Sequence, residues 1–517
     1  MSITGLSNAK KLNFEKKVPL VKIVSKLDFS SNIRTIKGRF PKRMSVESFG
    51  FMFLIIIPLV NLPMTAGGQF QTNPGEPAAN PFTIPDDERP PAIRDSNLKI
   101  ETVASGLNKP TAMAFLSPND ILVLEKDNGT VRRIVNGEVQ KDPVLTVAVA
   151  NDNETNERGL LGLAVDKESA TKTYVFLYYT ESGDGITGSD AHGIVPAGNR
   201  LYRYELVETN GGKTVKLVNP KLLLDLPARP GPRYEGGKLL VRHEQNNSTG
   251  TTVTSVYLQI GYLDKKGIRQ MTMAQNNKRG PPADGTGGIL RLDIEGNPLP
   301  NAPLVSSSNN NNNNTGDIGM LRYYFAYGIR NGFGMDFDPV TGKLWDTENG
   351  PTYGDEINLV EPGFNSGFSK MLGGLASAAY NAHVNIGRDL EDFGGLGKYS
   401  DPQFVWNNTV GVTAIKFLNS TKLGQQYAND IFVGDIKNGR IYHFKLNADR
   451  IGLKLDEVLS DKVADNVGEL DKVIFGTGFR SISDIELGSD GHLYVLLYGS
   501  GRLMRIVPAA EEGRASD

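Results

Sequence analysis

The sequence predicts an all-β fold: a six-bladed β-propeller behind an N-terminal signal or anchor segment and a linker. Three observations predict it. One phrase recurs six times, at residues 120–134, 173–204, 255–292, 342–359, 430–444 and 491–506. It is a run of β-branched and aromatic residues, a turn with Gly, Asn or Asp, and a second run ending on a basic or aromatic residue and an aliphatic one. Upstream of most copies stands another short run, such as Ala112-Met-Ala-Phe115, Gly162-Leu-Ala-Val165, Gly334-Met-Asp-Phe337 and Ile482-Ser-Asp-Ile485. Each copy therefore supplies three to four strands. Long amphipathic patterns of helical period are missing, which disfavours α/β alternatives. A sheet this small cannot bury both faces alone. Six stacked in a ring cover one another and leave only short edges.

The chain begins with a basic region and a signal peptide or anchor at 1–66. Residues 1–48 carry eleven Lys/Arg against three Asp/Glu, and the uncharged stretch 49–66 holds the apolar run Phe49-Gly-Phe-Met-Phe-Leu-Ile-Ile-Ile-Pro-Leu-Val60. A spanning helix wants about 20 apolar residues. This run is shorter, is broken by Pro58 and Pro63, and is followed by small residues at 65–68. A secretory signal fits it best, ahead of an uncleaved anchor and a buried core helix. Met44 as the true start would give a signal of ordinary length. Export to the cell envelope or beyond is the expected localisation. Seven Asn-x-Ser/Thr sequons, at Asn128, Asn153, Asn246, Asn247, Asn313, Asn407 and Asn419, are compatible with it. Residues 67–95, rich in Pro, Gly and Asn, read as a linker. The propeller spans 96–510, with a tail at 511–517. Ser306-Ser-Ser-Asn-Asn-Asn-Asn-Asn-Asn314 reads as a disordered loop tip.

Composition excludes several function classes. With 39% apolar and 22% charged residues, the chain has material for a large core. It has no cysteine, which removes disulfides, thiolate metal sites and a cysteine nucleophile. The whole chain is at −2 and the first 48 residues at +8, so the remainder stands at −10. An acidic body argues against nucleic acid as a partner. No Ser-His-Asp order, phosphate loop or His-x-x-x-His pattern is visible.

The loops between strands carry the chemistry. In Glu348-Asn-Gly-Pro-Thr-Tyr-Gly-Asp-Glu-Ile-Asn358 a tight turn can point backbone carbonyls one way, with the carboxylates of Asp355 and Glu356 close behind. Carbonyls plus carboxylates suit a hard cation such as calcium; the competing reading is a turn with solvated acids. Arg330 offers a planar fork for a ligand carboxylate, or a structural ion pair.

Three strings together resemble the glucose/sorbosone dehydrogenase family of soluble quinoproteins: Glu157-Arg-Gly-Leu-Leu-Gly-Leu-Ala-Val165, Gly328-Ile-Arg-Asn-Gly-Phe-Gly-Met335, and the 348–359 segment. Gly434-Asp-Ile-Lys-Asn-Gly-Arg440 and Asp484-Ile-Glu-Leu-Gly-Ser-Asp-Gly-His-Leu-Tyr494 add to the likeness. The resemblance implies pyrroloquinoline quinone (PQQ), calcium, a small sugar substrate and an external electron acceptor. It places Glu157 at a polar cofactor contact, Arg330 and Asn331 facing the quinone, and Lys437 on a cofactor carboxylate. Trp406 and Thr409 match a further cofactor-lining turn, Gly350 and Pro351 the carbonyl ligands of the cofactor calcium, and Asp355 and Glu356 a second calcium site.

Two departures stand against these matches. The family's catalytic His opens a His-x-Gly-Gly motif; here Arg233-Tyr-Glu-Gly-Gly-Lys238 puts Tyr234 in that place. A free Tyr, with a pKa of about 10, is protonated at neutral pH and serves as a base only if that value falls by several units. The family's Arg-x-Arg-Asp string is Ser481-Ile-Ser-Asp484 here, with Arg480 one step out of register. Of the five histidines, His443 and His492 fall in strands, His192 and His383 in loops, and His243 nine residues past Tyr234. Two functions therefore compete: a quinone- and calcium-dependent aldose dehydrogenase with a rearranged site, and a propeller that has lost the chemistry, keeps calcium for structure and binds a glycan or protein.

Overall fold

The computed structural model describes residues 90–509, except 153–156, 168–171, 246–249, 265–270, 307–317 and 375–380. The basic region, the apolar run, linker residues 67–89, the Asn-rich run, the tail and the sequons at Asn153, Asn246, Asn247 and Asn313 lie outside the described residues.

The fold is an all-β propeller. Among the described residues the strands group into six sheets, numbered here by the position of their innermost strands. These are Pro110–Ser117, Leu160–Asp166, Leu239–Gln245, Gly332–Phe337, Val412–Phe417 and Ile482–Leu487. Five sheets have a core of successive antiparallel strands. In sheet 6 the outer strand, Leu98–Ala104, comes from the N-terminal side and pairs with Arg502–Pro508, tying the two ends of the body together. One boundary needs correction. Ala92–Ile93, assigned above to the linker, pairs with Ile474–Thr477 at the edge of sheet 5.

Burial of both faces along the inner strands explains the stacking. In Asp120–Glu125 and Leu493–Leu497 nearly every residue is buried, as expected for a strand covered on both faces. Apolar side chains form six clusters, one at each contact between neighbouring sheets. Val256, Leu258 and Tyr324 of sheet 3 meet Phe176, Tyr178 and Leu201 of sheet 2. Trp345 and Ile357 of sheet 4 meet Ile415, Val433 and Tyr442 of sheet 5. The remaining clusters join sheets 5 and 6, 1 and 2, 6 and 1, and 3 and 4. Each fully buried large side chain contributes about 1.5–3 kcal/mol.

Polar contacts occupy the centre. Lys238 Nζ lies 2.9 Å from Asp484 and 2.9 Å from Glu486. Lys416 Nζ lies 2.7 Å from Glu486 and 3.2 Å from Asp336. These five residues belong to the innermost strands of sheets 3 to 6 or the residue leading into them, so one buried ion lattice links four sheets across the axis. Burial works against charge on Lys238, but Asp484 and Glu486 outweigh it and raise its pKa.

Candidate functional site

A cavity of about 220 Å³ opens where the innermost strands begin. Its wall includes Thr111, Leu161, Gly237, Phe333, Val412 and Ser483, one from the start of each sheet. Close backbone approach shapes it: a Cβ on Gly162 would sit 2.1 Å from the carbonyl oxygen of Gly237, so only glycine lets sheets 2 and 3 meet there.

The loops leading into these strands build one arc of side chains. Glu157, half-buried on the cavity wall, accepts the Tyr234 N–H at 2.7 Å. Burial pushes its carboxyl pKa up, against the opposing pull of the Tyr234 and Glu235 N–H groups, Arg330 and Arg233. Tyr234 has φ 65°, a left-handed backbone that favours glycine and fixes the turn into Gly236-Gly237. Its ring stacks on Tyr262 at 4.9 Å and 18°, and the Arg330 guanidinium lies 4.3 Å from its centroid. Arg330 Nη1 donates to the Asn349 carbonyl at 2.7 Å. Asn349 donates in turn to the Val412 carbonyl at 2.8 Å. Gly350 N–H donates to Asp355 at 2.9 Å, and the same carboxylate accepts from Val410 at 2.8 Å and Gly411 at 2.7 Å. Lys437 packs beside Gly411 and donates to Thr409 Oγ1 at 2.5 Å. The structure thus brings together Glu157, Tyr234, Arg330, the 349–350 corner, Asp355, Thr409 and Lys437.

Three expected residues are placed differently. Trp406 does not line the cavity. It is 1% exposed and packs against Phe404, Tyr442 and Phe444 between sheets 4 and 5. Asp355 and Glu356 do not form one paired site, because neighbours in a strand point to opposite faces. Asp355 pins the 350 and 410–411 turns. Glu356 faces sheet 3, accepting Gly373 N–H at 2.5 Å.

Glu356 belongs to a buried acidic cluster that sequence reasoning missed. Strand pairing sets Asp346 opposite Asn358 and Glu348 opposite Glu356, with Gln259 of sheet 3 donating to Asp346 at 2.8 Å. Glu348 accepts the Arg330 N–H at 2.6 Å and the Ser366 hydroxyl at 2.6 Å. Burial drives the carboxyls of Asp346 and Glu356 well up and that of Glu348 to about 7. One oxygen each of Gln259, Asn331, Asp346 and Asn358 has no hydrogen-bond partner. Among the described residues, no three His, Asp or Glu are already drawn together as a metal site.

Glu235, also missed, is fully buried. Its partners are Asn199 Nδ2 at 2.6 Å and Arg158 at 3.4 Å, and burial lifts its pKa to about 7. At sheet 6, Ser483 lines the cavity, while Arg480 is exposed; Arg480 and Ser481 have φ of 53° and 47°. No histidine lines the cavity: His243, His443 and His492 pair with Asp166, Asp430 and Asp490, His192 is exposed, and His383 lines a separate cleft.

Comparison with known proteins agrees with this architecture. The family model described as Glucose / Sorbosone dehydrogenase matches residues 107–505. The chain is 25% identical over 417 residues to Aldose sugar dehydrogenase YliI of Escherichia coli strain K12, covering 80% of this chain and 94% of that protein. The apo-form crystal structure of the soluble aldose sugar dehydrogenase from Escherichia coli matches with a TM-score of 0.54 at 20% identity, over 80% of this chain and 100% of that one. A PQQ-bound aldose sugar dehydrogenase from Streptomyces coelicolor matches with a TM-score of 0.51 at 18% identity, over 80% and 99%. With three quarters of its length matched by the family model, the chain belongs to the glucose/sorbosone dehydrogenase family.

Proposed function

We propose that this chain is an exported quinone-dependent oxidoreductase that oxidises an aldose at its anomeric carbon, using PQQ and calcium at the mouth of a six-bladed ring. The observation that carries the reading is the arc of contacts from Glu157 through Tyr234, Arg330, Asn349 and the Gly411–Val412 turn to Lys437. Family membership and the names of the aldose sugar dehydrogenases it resembles support the same reading. A six-bladed ring is supported by the six sheets among the described residues, with sheet 6 and its borrowed outer strand as the sixth. Export rests on the N-terminal sequence; among the described residues, no helix is long and apolar enough to cross a membrane.

The donor set fits a flat, multiply acidic cofactor along this arc. Arg330 and Lys437 supply positive charge, and Asn331 keeps a buried oxygen without a partner. The carbonyls of Gly350 and Pro351 suit a hard cation that takes its other ligands from a bound molecule. Ser481 and Ser483 offer hydroxyls instead of cations at sheet 6. Each lost charge-assisted bond costs about 1.5–3 kcal/mol, so the cofactor is held more weakly on that side. The Asp346–Glu348–Glu356 cluster keeps one unpartnered Asp346 oxygen and carboxyls raised by burial, and among the described residues no three acids or histidines are grouped to hold a second cation.

When bound, the quinone supplies the hydride acceptor and calcium polarises it. The protein supplies the rest. Glu157 takes the hydroxyl proton, because its carboxylate lines the cavity and is fixed by the Tyr234 N–H. Tyr234, held between Arg330 and Tyr262, orders the turn that holds Glu157 rather than acting as the base. Turnover would also require an external electron acceptor to reoxidise the bound quinone.

The second reading, a propeller binding a glycan or protein with calcium kept for structure, is favoured by Tyr234 at the histidine position and by Ser481 and Ser483. Dye-linked oxidation separates the two. Purified protein loaded with the quinone and calcium should turn over at least one of a panel of aldoses. Bound quinone with no turnover on any of them selects the second reading.

A further inference from the structure

We propose that a basic cleft beside the mouth binds the oxyanion of an acidic sugar. This extends the aldose reading by naming a substrate class. The cleft, about 550 Å³, is larger than the central cavity. Lys278, Arg279, Lys370 and Arg388 stand around it with His383, and Asp389 is the single carboxylate among its lining residues. Asp389 is already engaged, with Arg388 Nε at 2.6 Å and Nη2 at 2.8 Å. Among the described residues, Lys278 reaches the Gly387 carbonyl, at 3.4 Å. Three cations and the Arg388–Asp389 pair gather here on a body that is acidic as a whole. Such a patch repels itself and attracts a negative ligand, and forked guanidinium groups suit a carboxylate or phosphate.

The cations stand on locked supports. Asn276, fully buried, donates to Asn365 Oδ1 at 2.9 Å and to the Phe368 carbonyl at 2.7 Å. Ser369 N–H and hydroxyl both donate to the Gln275 carbonyl, at 3.1 and 3.0 Å. The same support leads to the mouth. Phe368, one residue before Ser369, packs on Tyr262 at 4.6 Å, and Tyr262 stacks on Tyr234 at 4.9 Å. A ligand anchored by its oxyanion in the cleft extends along these rings toward Glu157. Carboxylate and phosphate share this chemistry, so the test carries both.

The test uses the full chain without cofactor, so it stands apart from the oxidoreductase reading. Calorimetry measures binding of digalacturonate, glucose 6-phosphate and neutral maltose. One or both anionic sugars should bind, with affinity falling about tenfold or more between about 50 and about 500 mM salt. The exposed charge reversal K278E/R279E/K370E should weaken binding about tenfold or more while leaving the unfolding temperature unchanged. A preference for digalacturonate assigns the carboxylate, and one for glucose 6-phosphate the phosphate. No binding of either anion, equal binding of maltose, affinity unaffected by the charge reversal, or equal capture of duplex DNA overturns the proposal.

Discussion

Glu157 and Glu235 flank Tyr234, and the two carboxylates divide the work between chemistry and scaffold. Glu157 faces the cavity, so Glu157→Gln should lower kcat of the loaded protein by about 10²–10⁴-fold while the quinone still binds, read by its absorbance. Unchanged turnover would move the proton elsewhere. Glu235 faces inward, with Arg158 and Asn199. Its folded pKa of about 7 lies above the ordinary carboxyl value of 4.5. The folded state therefore holds the proton more tightly than the unfolded chain, and stability falls as pH rises from about 4.5 to about 7, then levels. Glu235→Gln should flatten that slope, measured as unfolding temperature against pH. Glu157 was legible from its motif. Glu235 was not, because burial raises its pKa against the pull of partners 77 and 36 residues away in the chain, and one chain position does not reveal burial. Trp406 failed for a related reason: a tryptophan beside a turn looks like a cavity wall, but the register of Phe404–Trp406 against Asp355–Ile357 turns it into the core.

At the scale of elements, the short turns before each innermost strand do most of the positioning. Asp355, held by three backbone N–H groups, joins the corner of sheet 4 to the lead-in of sheet 5. Strand alternation separates it from Glu356, and this is why two adjacent acids in sequence became two different devices. The turn strings were readable because Gly, Asn and Pro carry local rules. The ion lattice of Lys238, Lys416, Asp336, Asp484 and Glu486 was not, since its members come from four sheets. Lys238→Met should destabilise the fold by about 3–5 kcal/mol in chemical denaturation, because Asp484 loses its cation and Glu486 keeps only Lys416. An effect below about 1 kcal/mol would make the lattice incidental.

For the whole molecule, closure matters more than any single blade. The repeated phrase made the propeller class legible, but the borrowed outer strand hid in a segment with no repeat signature. A chain beginning at residue 90 keeps Ala92–Ile93 and Leu98–Ala104 and should unfold as cooperatively as the full chain. A chain beginning at residue 107 leaves sheet 6 without its outer strand and should lose several degrees of unfolding temperature or cooperativity altogether. Equal stability of the two would separate closure from folding. A mouth with serines at two cationic positions, and a tyrosine stacked on Arg330, should still hold a quinone. The most direct test is an absorbance titration of the purified protein with PQQ in the presence and absence of calcium. A saturable, calcium-dependent spectral change, weakened by Arg330→Ala, is the predicted result. An unchanged free-quinone spectrum at micromolar protein and cofactor would contradict it.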